Sequence, residues 1–145
     1  RVSRGGGGFH RDGRRFEVAT SCTPLLSGLH TSLALLDGLG TAEERLAMIQ
    51  EASLRLWRGL RALPGCEPLL ASPPPAGLVS FQLRHRDGSA VAPEAVVNRL
   101  GMQGIWLRHL QAPSCLRACT HVTTTAADVD HLLDTLLTFS QHDWN

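Results

Sequence analysis

The sequence predicts an α+β fold, and three observations carry that expectation. Long apolar periodicities over 24–38 and 41–63 have helical spacing. Short β-favouring runs over 77–83, 105–108 and 116–122 are separated by Gly, Pro and Asp-Gly turn signals. After Thr41 the elements read α-β-α-β-β-α, with two strands adjacent, which predicts a small sheet covered on one side by helices.

Residues 1–15 are rich in Gly and Arg and predict a loop. Phe16-Glu17-Val18-Ala19-Thr20 reads as an extended lead-in. Thr23-Pro24 then reads as an N-cap followed by proline at the first helical position. Leu25, Leu26, Leu29, Leu33, Leu35 and Leu36 follow, until Gly38 and Gly40 stop the run. A helix over 24–38 is therefore apolar on much of its surface. Within this chain alone its leucines are expected to form an exposed apolar patch.

Thr41 with Glu44 three residues later forms the pattern of a capping box. Leu46, Ile49, Leu56, Trp57, Leu60 and Leu63 give the inner stripe of a helix over 41–63, which Pro64-Gly65 ends. Ser72-Pro73-Pro74-Pro75 is a stiff spacer, and Leu78, Phe81 and Leu83 mark the next strand. Asp87-Gly88 is a turn. Pro93 to Leu100 predicts a short helix with Val96, Val97 and Leu100 inward and Gly101 near its C-terminal end. Strands 105–108 and 116–122 follow. Thr125 caps a last helix carrying Val129, Leu132, Leu133, Leu136, Leu137 and Phe139.

Composition narrows the function classes. With 43% hydrophobic and 19% charged residues in 145, the chain can build a real core, which excludes collagen, low-complexity disorder and a disulfide miniprotein. A net charge of +1 gives no bulk field for nucleic acid or an anionic membrane, so neither is an expected partner. All 14 basic side chains are arginine, so no lysine Schiff base can form on this chain. Cys22, Cys66, Cys115 and Cys119 occur without a secretory signal, and reduced thiols in the cytoplasm are expected. The start at Arg1 has no initiator methionine and reads as part of a longer chain.

Two arginines stand out by context. Arg108 ends an apolar run and Arg117 lies inside another. A charge in such a strand is either paired with an internal acid or turned into a site. No acidic residue lies between Glu94 and Asp128. A guanidinium meets a carboxylate through two parallel hydrogen bonds, a geometry lysine lacks. His109, Cys115, Cys119 and His121 fall close together, but Cys115 is expected in the turn after Pro113 and Cys119 and His121 on a strand. No metal site is expected from them. His121 reads as a sheet residue bonded to backbone. The Gly5–Gly8 run lacks the strand before it and the G-K-[ST] after it that a phosphate loop needs.

Several segments together resemble a known family. Arg14-Arg15-Phe16-Glu17-Val18-Ala19-Thr20 is similar to the R-x-F-E-x-G-T segment of class V aminotransferases and cysteine desulfurases, pyridoxal-phosphate (PLP) enzymes of fold type I. Gly77-Leu78-Val79-Ser80-Phe81 looks like their G-I-V-S-F strand, and Gly104-Ile105-Trp106-Leu107-Arg108 like their G-I-x-x-R. Arg117-Ala118-Cys119-Thr120-His121 resembles R-x-S-x-H, and Thr125 with Asp128-Val129-Asp130 resembles the N-T-x-x-E-I-D helix entry. The phrasing from Phe16 to Ser21, the run Arg117 to Cys119 and the separation of Arg108 from Arg117 are nearest to the cysteine/cystine C–S lyases of cyanobacterial type.

The resemblance implies the C-terminal part of such an enzyme. Residues 1–40 would end the large PLP domain and 41–145 would form the small α+β domain. Arg117 would grip the substrate α-carboxylate, Arg108 would assist or hold a second carboxylate, and Thr20 would reach the PLP phosphate. The whole enzyme would be a cytoplasmic homodimer acting on an amino acid of cysteine or cystine type. The Schiff-base lysine would lie in an upstream part, so no catalytic residue is assigned here and this chain alone is expected to be inactive. Two departures stand out. Thr123-Thr124-Thr125 replaces Y-N-T, and the R-x-G-x-x-C pattern of a desulfurase is absent after Arg108. The alternative is a free-standing, non-catalytic α+β domain that binds a small carboxylate or a protein.

Overall fold

The computed structural model describes residues 10–16 and 22–144. The chain divides into two compact units, Arg1–Gly40 and Thr41–Asn145. In the first, a 3-10 turn covers Gly13–Phe16 and helix α1 covers Thr23–Asp37. Phe16 closes that turn rather than opening an extended segment; the rest of the expected lead-in, with Thr20, lies outside the described residues. The residue at the N-cap of α1 is Cys22, not Thr23, and it makes no side-chain capping bond. Pro24 still sits in the first turn, where its missing N–H costs nothing. No residue of α1 is buried. Leu25, Leu26, Leu29, Leu33 and Leu35 are 53–72% exposed, so the expected apolar patch is present.

In the second unit, helix α2 spans Ala42–Ala62. The Thr41 hydroxyl accepts from the Glu44 N–H at 3.2 Å, and the Glu44 carboxylate accepts from the Thr41 N–H at 2.7 Å, which completes the expected capping box. Ser53, Leu56, Trp57 and Leu60 form its buried face. The Trp57 indole N–H donates to the Leu70 carbonyl at 3.0 Å, which satisfies the one polar atom that this core residue brings inside. Helix α4, Ala126–Gln141, packs beside α2. A Cβ at Gly59 would overlap the Leu133 side chain, which packs into the space that the glycine leaves. Arg55 and Asp130 join them at the surface through two hydrogen bonds of 2.9 and 2.6 Å.

Four antiparallel strands form the sheet: β1 (Cys66–Pro68), β2 (Leu78–Leu83), β3 (Arg108–Gln111) and β4 (Ser114–Cys119), in the order β1-β2-β4-β3. Strand β1 was not expected; three residues carry no periodicity, and it exists because it pairs with β2. The β3–β4 hairpin is shifted from the predicted limits. Its turn is Ala112-Pro113, where proline's lack of an N–H is harmless. Arg108 therefore begins its strand instead of ending one, and His121 and Val122 fall beyond β4. Helix α3 runs Pro93–Met102, so Gly101 lies within it; the glycine with positive φ that follows is Gly104.

Side-chain alternation divides the sheet. Val79, Phe81, Leu83, Leu116 and Ala118 are buried on one face, in a cluster with Leu56, Leu60, Val96, Leu100, Leu132 and Leu136 from α2, α3 and α4. The opposite rows carry Ser80 and Gln82 on β2 and Arg117 and Cys119 on β4, half-buried or exposed. Thr120, directly after β4, is buried. Its N–H donates to the Gly77 carbonyl at 2.8 Å and its hydroxyl donates to the Ile49 carbonyl at 3.2 Å. These bonds fix the start of the loop into α4 against α2.

Candidate functional site

The register of the β3–β4 hairpin places Arg108 directly opposite Arg117, with Ser80 of β2 on the other side of Arg117. Directly opposed side chains on one face lie about 4.5–5.5 Å apart at Cβ, and like charges there repel. Arg117 is half-buried and Arg108 exposed. Among the described residues neither guanidinium forms an ion pair. Other arginines do find partners: Arg14 with Asp12, Arg55 with Asp130, Arg84 with Glu67, and Arg99 with the Trp144 carbonyl. The arginine pair is thus two neighbouring cations with no ion-pair partner among the described residues.

Both arginines line an open cleft of about 610 Å3, together with Trp106, Cys119, Thr124 and Asp128. That size suits a small-molecule site. Asp128 is engaged elsewhere: its carboxylate accepts from the Thr125 N–H at 2.8 Å and from the Thr125 hydroxyl at 2.7 Å in the capping box of α4. Those two bonds hold its pKa below the usual carboxylate range. A cleft with two uncommitted guanidiniums and a carboxylate already satisfied is suited to an anion, and a two-pronged carboxylate in particular.

The cysteines and histidines do not converge in this way. Cys115 lies in β4, not in the turn, and is fully buried. Burial pushes its thiol pKa up, with Arg117 pulling the other way. Cys66 is buried too, and its thiol is pushed up to about 12. His121 is exposed beyond the sheet; its backbone N–H donates to the Thr124 hydroxyl at 2.9 Å, so it is a loop residue, not a sheet residue. Among the described residues no three His, Cys, Asp or Glu side chains are grouped to hold a metal ion. Thr20 lies outside the described residues.

Sequence reasoning missed Trp106, Cys119, Thr124 and Asp128 as parts of the cleft. Trp106 carried a signal, since a large aromatic two residues before Arg108 shares its side of an extended segment. The others depend on how α4 is placed, which spacing does not disclose.

No protein-family profile matches the chain, and no curated protein does. Solved structures do, two structures of one enzyme among them. One is the cystine C–S lyase C-DES in complex with its reaction product cysteine persulfide, at TM-score 0.80 and 41% identity, covering 94% of this chain and 36% of that one. The chain is similar to the C-terminal part of C-DES. The other structure is a lysine-to-alanine variant of C-DES with glycine covalently linked to its PLP cofactor, at TM-score 0.79 and 44% identity, covering 86% of this chain and 31% of that one. The match is to the C-terminal part of C-DES, and the α+β fold is that of its C-terminal domain. The chain spans about a third of the length of these enzymes. No described helix is long and apolar enough to cross a membrane.

Proposed function

We propose that this chain supplies the substrate-binding segment of a PLP-dependent C–S lyase acting on an amino acid of cysteine or cystine type. The observation that carries the reading is the Arg108–Arg117 pair, opposed in register, without an ion-pair partner among the described residues and open to one cleft. Arg117, the more buried of the two, grips the α-carboxylate. Arg108 assists, or takes the second carboxylate that a disulfide-linked diamino acid carries. Likeness to C-DES supports the substrate class, since that enzyme is a cystine lyase seen with cysteine persulfide. A buried Cys115 on β4, in place of a thiol in an accessible loop, favours a lyase over a desulfurase.

The residues present fit the substrate side of a PLP site. Thr20 is the residue that the family likeness assigns to the cofactor phosphate. The covalent anchor is not here, because the chain holds no lysine. When bound, PLP supplies the electron sink that C–S bond cleavage needs. The residues of this chain bind and orient the amino acid. On this reading residues 1–40 end a larger cofactor domain and 41–145 form the small domain of a homodimer. Four unpaired thiols support a reducing, cytoplasmic compartment.

A second reading also has an observation in its favour. A chain with a carboxylate cleft and no lysine serves equally as a non-catalytic carboxylate-binding domain. One comparison separates the two. The chain is co-expressed with a lysine-bearing N-terminal part of a C-DES-like enzyme and assayed for pyruvate and cysteine persulfide formed from L-cystine. Activity that depends on both parts and is lost in Arg117→Ala supports the enzyme reading. L-cystine binding by the chain with no activity in any pairing supports the second.

A further inference from the structure

We propose that Trp106 is the specificity wall of the arginine cleft, selecting long, sulfur-bridged diamino acids over short amino acids. The inference rests on the carboxylate-binding reading of Arg108 and Arg117 and deepens it. Trp106 lines the same cleft as both arginines and is 79% exposed, an unusual state for the largest apolar side chain. Trp57 and Trp144, by contrast, are buried, and their indole N–H groups donate to the Leu70 and Arg84 carbonyls.

The Trp106 ring lies close to Gly101 of α3. A Cβ at Gly101 would lie 3.1, 3.3 and 3.6 Å from three of its ring carbons, so the indole rests against α3 at a position without a side chain. Glycine inside a helix is a poor choice for the helix itself. Here it accommodates the ring. The result is an aromatic surface, backed by a helix, beside two guanidiniums that fix a carboxylate.

Chemistry selects the ligand. Once one α-carboxylate is held by the arginine pair, the remainder of the ligand meets the indole. An aromatic face attracts ammonium groups and soft sulfur atoms. A diamino acid bridged through sulfur offers both, and alanine offers neither beyond its own α-amine.

The test uses the 145-residue chain and two probes: L-cystathionine, a soluble sulfur-bridged diamino acid, and L-alanine. Affinity is followed by isothermal titration calorimetry. Trp106→Ala is expected to weaken L-cystathionine about tenfold, or about 1.4 kcal/mol, and to leave L-alanine within about twofold. Trp106→Phe restores most of the loss, and Gly101→Ala, which displaces the ring, falls between. Equal losses for both probes, or no loss while Arg117→Ala abolishes binding, overturn the role of Trp106 and leave the arginine site standing. Failure of the unsubstituted chain to bind either probe overturns the arginine site, and the wall with it.

Discussion

Arg108 and Arg117 face each other across β3 and β4 as directly opposed residues of like charge, with no anionic side chain between them among the described residues. Directly opposed like charges cost stability. Arg108→Ala is therefore expected to raise the unfolding midpoint slightly at low salt. Small carboxylates should stabilise the parent chain and lose most of that effect in the variant. Denaturant unfolding with and without succinate checks both. A parent chain indifferent to succinate would remove the anion from the argument.

Arg117→Lys keeps the charge and loses the two-pronged geometry. Binding of L-cystathionine is expected to weaken by about 1.5–3 kcal/mol, the scale of a charged hydrogen bond. The fold should be unchanged, because no protein partner is lost. An affinity equal to that of the parent would contradict the grip assigned to this side chain.

PLP added to the isolated chain should leave no borohydride-stable pyridoxyl group on any side chain, since there is no ε-amine to receive it. Peptide mapping by mass spectrometry after reduction tests this. A modified internal peptide would contradict it.

Thiol labelling should split the four cysteines. Cys22 and Cys119 are exposed, while Cys66 and Cys115 are buried. Burial raises both hidden thiols, Cys66 to about 12, so little thiolate is present at neutral pH. Iodoacetamide is expected to modify two cysteines in the native chain and four in denaturant. An amino acid seated in the cleft should slow Cys119 and spare Cys22.

The capping carboxylate sets an acid limit. Thr125 holds the folded pKa of Asp128 below its unfolded value, so this contribution to stability is complete above about pH 4 and is lost as pH falls through the lowered value. Thr125→Ala should lower the unfolding midpoint at pH 7. The gap from the parent should narrow as the solution is acidified below the unfolded value, as thermal melts across pH would show. A gap that widens toward acid would be the wrong sign.

The helices were largely legible in the sequence because their signals are local. Thr41 with Glu44 announces α2, and Thr125 with Asp128 frames α4. The strands were read less well, since partners decide them. Ile105, Trp106 and Leu107 look like a strand, yet pairing begins only at Arg108, and Cys66–Pro68 is a strand only through β2. For the site, the absence of nearby acids marked Arg108 and Arg117 from the start. Their exact opposition depends on where the hairpin turns. Asp128 could not be assigned to the cleft from spacing, because only the placement of α4 brings it there.

Strand order has a consequence for solubility. With β4 between β2 and β3, the edge strands of the sheet are β1 and β3. Strand β1 has three residues and ends in Pro68, which offers no N–H to an incoming chain. Strand β3 has four residues, and Arg108 is at its first position. A charge on a short edge strand discourages sheet-to-sheet pairing. Arg108 thus guards the sheet against self-association as well as facing the cleft, and an Arg108→Val chain should form aggregates at concentrations where the parent stays dispersed.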